Sequence, residues 1–499
     1  MRPAGTNAGE TRSNAGNGRN AAEWSAAGYQ VLRRTLTLPL ALPGPLPPAL
    51  PLILPDLLRP SPPPGPGAEA SGTPPPGPDS FLFFDLETTG LSGGAGTVAF
   101  LAAFGRFTVS GPGGPDPGPD RQDRGPGLEL TQFLLLDYPG EADFLAAALA
   151  FIEDRRRETA GPLFLTTYNG KAFDYPLLKT RCLMNGLAAP ALFQADLLHP
   201  ARRLWKRILP NCSQATVETV IPGPDRRGDL PGSLAPDIWF AFVRSGAAFP
   251  PDNPPGPGDY SGPAGALEGI CEHNVKDIFG LASIFRAFTD IAGEPLEAVR
   301  RFRCDGENLA LCWRRAALCA ATAEAGGAQA GSAEAGVSAQ AGGASAEAGT
   351  ADMAERLLEA AAAEYPRTCL RLAFDRMRRG RHEAGRAALL RIAAAPVEAG
   401  AGRWKVPCSP ALRAAALRSL AVDAERRLGL RDRALAYIEA ALAAADTDGA
   451  ISGGERDPGG PDTGGQDPGG LPRGLRADLE KRRERLAGAG IPPGPPFGV

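Results

Sequence analysis

The sequence predicts an α/β fold, a mixed sheet flanked by helices, followed by an all-α helical-repeat region. Three observations support this prediction. Strand-like apolar runs and amphipathic stretches alternate in the first part of the chain, alanine- and arginine-rich stretches dominate beyond residue 351, and two of these stretches resemble each other. The 499 residues suffice for two or three domains, but 63 Gly and 51 Pro place much of the length outside packed elements.

Composition excludes several classes of protein. The net charge of −3 does not by itself indicate a nucleic-acid binder. The eight cysteines form no C-x-x-C pair, which argues against a zinc site and a disulfide framework and favours reduced thiols in a cytoplasmic protein. No signal peptide is recognisable, and prolines interrupt the apolar stretch Leu36–Leu58, so we expect no membrane segment.

Composition also predicts the boundaries of six segments. They are a disordered Pro/Gly-rich region (1–78), a folded domain with strands and helices (79–295), a helical connector (296–322), an Ala/Gly/Ser linker (323–350), a helical domain (351–446) and a Gly/Pro-rich loop with a terminal helix (447–499). A short helix around Ala21–Leu36 is an alternative within the first segment. In the domain predicted over 79–295, Phe81–Asp85, Thr97–Val109 and Leu128–Leu136 have the composition of adjacent strands, and Leu267–Ala287 that of a long amphipathic helix.

Two carboxylates follow the apolar run Phe81–Phe84. Asp85 and Glu87 are two residues apart on a predicted strand, so both point to one face. Carboxylates aimed at one point repel unless a cation lies between them, and oxygen ligands suit Mg²⁺ or Mn²⁺. The alternative is an ordinary buried strand followed by a polar turn.

A third carboxylate follows a later predicted strand. Asn169 and Gly170 form a turn after Tyr168, and Asp174 begins a helix that continues with apolar residues. Asp174 is therefore a metal-ligand candidate. The alternatives are that Asp174 is a plain helix cap and that Asn169 simply serves its turn.

The fourth candidate carboxylate lies on the predicted helix Leu267–Ala287. His273 and Asp277 are four residues apart and share one helix face. Such a pair can combine a metal ligand with a general base, although a surface ion pair is the common alternative. The neighbouring Asn274 is a second candidate for orienting water.

These motifs resemble the DnaQ-like (DEDD) 3′–5′ exonuclease superfamily, which has an RNase H-like fold. The resemblance implies that two Mg²⁺ or Mn²⁺ ions are held by Asp85, Glu87, Asp174 and Asp277, and that His273 is the base. One departure concerns His273: it precedes Asp277 by four residues, whereas the histidine branch of that superfamily uses five and the tyrosine branch four.

A more specific resemblance rests on the sequence Leu-His-Pro-Ala-Arg-Arg-Leu-Trp-Lys at residues 198–206, on the motif His-Asn-x-x-Asp at residues 273–277, and on the helical C-terminal part. The chain looks like the YprB-like group of bacterial proteins, closely over residues 80–290 and loosely over 300–445. The expected substrate contacts are Thr88, Leu91, Asn169, Phe173, Asp196, Arg202, Arg203 and Trp205. Asp196 has a turn or cap role as its alternative, and the basic residues around Trp205 have a solvated helix face as theirs.

The helical domain contains two similar stretches that begin at Gly380 and Gly429. Without a loop of about 15 residues, their spacing approaches the roughly 34 residues of a tetratricopeptide repeat. A generic helical bundle is the alternative. Residues 351–446 carry 17 Lys and Arg against 12 Asp and Glu, which favours an acidic partner, either protein or nucleic acid.

The main functional hypothesis is a two-metal 3′–5′ exonuclease that hydrolyses single-stranded DNA or RNA. The alternative is a catalytically weak RNase H-like module attached to a helical scaffold that binds proteins. An endonuclease of the RNase H type would use the same metals, and the sequence does not distinguish DNA from RNA.

Overall fold

The computed structural model describes residues 23–57, 76–90, 96–108, 126–251, 260–315, 337–394, 408–451 and 474–488. The chain divides into two compact units. The first comprises Met1–Ala201 and Asn211–Thr289, and the second Arg202–Pro210 and Asp290–Val499. Within the described ranges, no helix has both the length and the apolar character needed to span a membrane.

The first unit contains a seven-stranded sheet in the order β1-β2-β5-β4-β3-β6-β7. Its strands are β1 (Ser25–Gly28), β2 (Val31–Leu38), β3 (Phe81–Thr88), β4 (Ala99–Thr108), β5 (Gly127–Leu135), β6 (Phe164–Thr167) and β7 (Phe193–Asp196). The pairs β3–β6 and β6–β7 are parallel, and the other neighbours are antiparallel. The predicted RNase H-like mixed sheet is thereby confirmed.

Helices cover both faces of this sheet. The helices of this part of the chain are α1 (Leu50–Ile53), α2 (Glu141–Glu158), α3 (Asp174–Met184), α4 (Leu198–Trp205), α5 (Gln214–Glu218), α6 (Ala235–Ser245) and α7 (Gly262–Gly293). Residues 202–205 of α4 and the last four residues of α7 belong to the second unit. Phe83 of β3 packs against Phe285 of α7, with ring centroids 5.5 Å apart. Phe104 of β4 packs against Phe151 of α2 at 5.1 Å. Since alternate strand residues face opposite sides, these contacts assign α7 to one face and α2 to the other.

The structure of the N-terminal region corrects the prediction that this region is disordered. The sequence predicts disorder over 1–78, yet residues 23–57 contain β1, β2 and α1, and β2 pairs along its whole length with β5. The alternative of a helix at 21–36 is also wrong where the structure describes it. Arg33 and Arg34 interrupt the alternation of apolar and polar residues by which a strand is recognised in a sequence. The strand forms because it pairs with β5, which lies far along the chain. Residues 1–22 and 58–75 lie outside the described residues.

The second unit is helical in its described part. Its helices are α8 (Pro295–Arg301), α9 (306–315), α10 (Val337–Glu364), α11 (Pro366–Arg378), α12 (His382–Ala393), α13 (Pro410–Arg426), α14 (Arg431–Ile451) and α15 (Leu475–Ala487). Gly380 and Gly429 occupy equivalent turns, between α11 and α12 and between α13 and α14, both at positive φ. This layout supports two related helix pairs.

Two predicted loops are partly helical. The sequence predicts a linker over 323–350, but α10 begins at Val337. The loop predicted to begin at 447 starts later, because α14 extends to Ile451. Alanine-rich composition lacks the apolar bulk that marks a packed element, but it still has high helix propensity. Residues 316–336 and 452–473 lie outside the described residues.

Candidate active site

Asp85 and Glu87 point from β3 toward α7. The backbone register places Asp85 opposite Ala103 and Glu87 opposite Leu101 on β4. Earlier on the same face of β3, Phe81 and Phe83 pack against Phe285. The aromatic contacts therefore hold the first half of the strand while its second half presents two carboxylates.

A glycine on β4 allows α7 to approach the sheet closely. A Cβ atom built on Gly105 would lie 2.5 Å from Cγ2 of Ile278, closer than real atoms approach. Ile278 directly follows Asp277, so this close packing brings the polar turn of α7 to the carboxylates of β3.

Asp85 accepts a hydrogen bond from α7. The Nδ2 atom of Asn274 donates to Oδ2 of Asp85 over 2.8 Å, and Asn274 is fully buried. Burial raises the pKa of Asp85 well above its usual value, and the charges of Asp277 and Asp174 raise it further. Charge repulsion of this kind acts over short distances, so the carboxylates of Asp174 and Asp277 lie close to that of Asp85.

Glu87, His273 and Asp277 form a compact cluster of potential metal ligands. One ligand atom from each residue lies within 4.8 Å of the other two. Burial and the charges of Asp277 and Asp174 raise the pKa of Glu87 well above its usual value. Buried oxygen donors that repel one another in this way fit a divalent cation, which would relieve the repulsion.

Asp174 reaches this centre from the first turn of α3. The preceding turn needs Gly170, because a Cβ there would lie 2.5 Å from the Thr167 side chain. Asp174 is buried, and this burial raises its pKa to about 7, assisted by the charge of Asp196. Asp196 in turn accepts backbone hydrogen bonds from Asn169 and Lys171, so it anchors the loop that leads to α3.

His273 lies between two carboxylates. Its Nδ1 is 3.0 Å from Oδ2 of Asp229, and its Nε2 is 3.2 Å from Oδ2 of Asp277. Burial acts to lower the pKa of His273, but its hydrogen bonds to both carboxylates and their charges outweigh burial and raise the pKa. Asp229 therefore orients the imidazole ring from behind and favours its protonated form.

Arg226 neutralises the opposite side of Asp277. Its Nη2 donates to Oδ1 of Asp277 over 2.7 Å, and the same guanidinium bonds both oxygens of Glu218. Burial of Asp277 acts to raise its pKa, yet contacts with His273 and Arg226 lower it below the usual value. Asp277 thus remains ionised among neighbours whose pKa values are raised.

Comparison with known proteins agrees with this geometry. The family model described as RNase_H_2, of the RNase H superfamily, matches residues 82–289. These residues form an RNase H-superfamily domain. A similar protein is the uncharacterized protein YprB of Bacillus subtilis (strain 168), with 34% identity over 210 residues, which cover 42% of this chain and 41% of YprB. The matched part therefore spans less than half of either protein, and no solved structure matches.

The residues predicted to contact the substrate differ in how far the structure exposes them. Thr88 is buried, and its hydroxyl donates to the carbonyl oxygen of Gly90. Asn169 is exposed at a φ of 69°, and Phe173 is half-buried just before α3. Leu91 lies outside the described residues. Asn169 and Phe173 thus retain accessible surface on the RNase H-like domain.

The structure corrects the prediction that Trp205 and the basic residues around it contact the substrate. Trp205 is fully buried, and its indole N–H donates to the carbonyl oxygen of Phe302, so neither ring face is available to a base. Arg202, Arg203 and Trp205 belong to the second unit, whereas the carboxylates belong to the RNase H-like domain. The sequence pattern of an aromatic among basic residues also fits a helix that buries its tryptophan and exposes Arg202.

Asp229 and Arg226 were missed by sequence reasoning. Both lie in the irregular, Pro/Gly-rich stretch 222–231, where no periodicity predicts which way a side chain points. The available signal was the cluster of charges Asp225-Arg226-Arg227-Gly-Asp229 within a loop otherwise poor in charged residues. Asn274 was noticed only as a candidate to orient water, whereas its amide contacts Asp85.

Proposed function

We propose that the RNase H-like domain is a metal-dependent nuclease and most specifically a 3′–5′ exonuclease. The observation that carries this proposal is the convergence of four carboxylates, from β3, α3 and α7, around a histidine held by a fifth. Burial, with added repulsion from neighbouring carboxylates, raises the pKa values of Asp85, Glu87 and Asp174, and a bound cation would offset both effects.

In this proposal Asp85, Glu87, Asp174 and Asp277 hold two Mg²⁺ or Mn²⁺ ions. Bound ions would supply an activated water and charge stabilisation for a departing 3′ oxygen. The protein's own groups do the rest: His273 accepts a proton at Nε2, Asp229 orients the ring through Nδ1, and Arg226 keeps Asp277 ionised. Accepting that proton requires His273 to separate from Asp277, since its Nε2 lies 3.2 Å from Oδ2 of Asp277.

The substrate proposed is a single-stranded DNA or RNA whose 3′ end enters beside Thr88, with Asn169 and Phe173 as contacts from the loop before α3. The resemblance to 3′–5′ exonucleases supports this direction. The paired helices of the second unit are proposed as tetratricopeptide-like repeats that bind an acidic partner.

The decisive experiment compares native protein with Asp85→Asn on 5′-labelled single-stranded DNA and RNA, each with Mg²⁺ or Mn²⁺. A ladder that shortens from the 3′ end, requires metal and is absent from the variant supports an exonuclease. Blocking the 3′ end separates the modes, because an endonuclease still cuts a blocked or circular strand. No cleavage of any strand by the native protein would contradict the proposal.

A further inference from the structure

One row of residues connects the N-terminal hairpin with the first carboxylate of β3. The backbone register pairs Arg34 on β2 with Gln132 on β5. The same row continues through Ala103 on β4 to Asp85 on β3. Because residues paired across adjacent strands point to one face, these four side chains all lie beneath α7.

Side-chain hydrogen bonds follow this row without a break. The Nε atom of Arg34 donates to Oε1 of Gln132 over 2.8 Å. The Nε2 atom of Gln132 donates to Oδ1 of Asn274 over 2.9 Å, and Asn274 donates to Asp85 over 2.8 Å. Ala103 has only a methyl group at this point of the row, which leaves space above β4 for the amide of Asn274. Both amides are fully buried, so water does not compete for these bonds.

Arg34 and the carbonyl oxygen of Cys271 together set the direction of the bonds in this row, because Nε2 of Gln132 also donates to that carbonyl oxygen over 2.9 Å. A guanidinium group can only donate, so Gln132 must present its oxygen to Arg34 and its NH₂ group to Asn274. Asn274 must then accept through Oδ1, which turns its own NH₂ group toward Asp85. Without a donor at position 34, only the carbonyl oxygen of Cys271 opposes rotation of the Gln132 amide, and a rotated amide would turn the Asn274 oxygen toward the carboxylate.

Arg34 is itself held firmly. It is 8% exposed, forms an ion pair with Glu268 of α7 and lies over the ring of Trp24 at 4.4 Å. The indole N–H of Trp24 also donates to Glu268. These contacts hold the guanidinium group between α7, β5 and the Trp24 ring. Trp24 and Arg34 both precede the part of the chain that matches the RNase H superfamily.

We propose that Arg34 is a positioning residue for Asp85, acting through Gln132 and Asn274 to keep the carboxylate oriented as a hydrogen-bond acceptor and cation ligand. This inference rests on the proposed function insofar as Asp85 binds a divalent cation. The hairpin of residues 23–38 then helps to orient a metal ligand of the nuclease domain, in addition to forming the edge of its sheet.

The test measures Mn²⁺ binding to the metal-free full-length chain by calorimetry at about pH 8, where carboxylates ionise readily. The central variant is Gln132→Glu, which keeps the shape and the contact with Arg34 but turns a donor into an acceptor. Asn274 must then give its NH₂ group to position 132. We expect Mn²⁺ affinity to fall about tenfold, a typical effect of residues behind a metal ligand. Charge alone predicts the opposite, since an added carboxylate attracts a cation.

Three further variants complete the test. Arg34→Met should weaken Mn²⁺ binding, while Arg34→Lys, which is still only a donor, should restore much of it. Arg33→Met is the matched control, because Arg33 lies on the opposite face of β2 over the rings of Phe133 and Phe151. It should bind Mn²⁺ as the native chain does. Circular dichroism verifies folding, and if Gln132→Glu unfolds, Arg34→Met decides.

The outcomes separate the two proposals. Native-like or tighter Mn²⁺ binding by Gln132→Glu overturns the role of Arg34, even where the native protein cleaves nucleic acid. Weaker binding by both Gln132→Glu and Arg34→Met, in a protein that cleaves no nucleic acid, supports the role of Arg34 and contradicts the nuclease. Native-like binding by Arg34→Met overturns the role of Arg34. No Mn²⁺ binding by the native chain overturns both.

Discussion

His273 contacts Asp277 one helical turn further along α7, with Nε2 3.2 Å from Oδ2. Its other ring nitrogen contacts Asp229, which comes from a loop before α6. The imidazole therefore has a carboxylate at each end. Its orientation is set by tertiary contacts as much as by its own helix, and its basicity depends on whether Asp277 keeps this contact.

Replacement of Asp174 tests the carboxylate centre. We expect Asp174→Asn to lower the rate of nucleic-acid cleavage at least about a hundredfold, since even residues behind a metal ligand affect activity by 10–100-fold. Rate constants under saturating substrate and metal provide the measurement. Asp154→Asn is the matched control, because Asp154 is exposed on α2 and pairs only with Arg157 among its ion-pair contacts in the described structure. Equal losses in the two variants would contradict a role specific to Asp174.

The metal-free protein should lose stability as the pH rises. Folding raises the pKa values of Asp85 and Glu87, and that of Asp174 to about 7. A raised folded-state pKa adds stability below the unfolded value near 4, and this stability is lost as the pH rises through the folded value. Folding also raises the pKa of His273, so the stability that its protonated form contributes is likewise lost as the pH rises. For Asp174 alone the loss is on the order of 4 kcal/mol.

The measurement is the unfolding temperature in EDTA between about pH 5 and pH 8. We expect it to fall with rising pH, and Asp174→Asn should reduce the slope. Mn²⁺ at the upper pH should restore stability, because a bound cation favours the ionised carboxylates. A flat or rising profile without metal would show that the carboxylates do not repel one another as their geometry implies.

Replacement of Asp229 should change the pH–rate profile of cleavage. Removing this charge lowers the pKa of His273, so the histidine loses its proton at lower pH and the acidic limb of the profile shifts to lower pH. The loss of orientation should also reduce the rate by about tenfold. Asp225→Asn is the control, since Asp225 is exposed and pairs with Arg227. An acidic limb that stays in place in Asp229→Asn would argue against His273 as the base.

Gly105→Ala should push α7 away from the sheet. The added methyl group would lie 2.5 Å from Cγ2 of Ile278, and such overpacking typically costs about 1–3 kcal/mol. We expect a lower free energy of unfolding and weaker Mn²⁺ binding, both measured on the metal-free chain. Combining Gly105→Ala with Ile278→Ala should cost less than the sum of the two single changes. Strict additivity would show that this contact does not set the position of α7.

Sequence patterns predicted the strands and helices that carry the carboxylates. The uninterrupted apolar run before Asp85 and the periodicity around His273 belong to long elements buried in the core, where pattern and tertiary structure agree. The N-terminal hairpin was missed because β2 carries two consecutive arginines, one of which is buried by an ion pair. Trp205 was misinterpreted because exposure of an aromatic ring cannot be read from its neighbours in sequence.

The sequence by itself determined the strand and helices that carry the four carboxylate candidates, because strand and helix periods act locally, and its resemblance to a known superfamily grouped these carboxylates into one site. Tertiary structure alone decided which groups surround them. Asn274 meets Asp85, Asp229 meets His273 and Arg226 meets Asp277 only because glycine at position 105 lets α7 pack closely and an irregular loop closes beside it. Contacts between residues far apart in the chain depend on packing distance and loop path, which leave no periodic signal in the sequence.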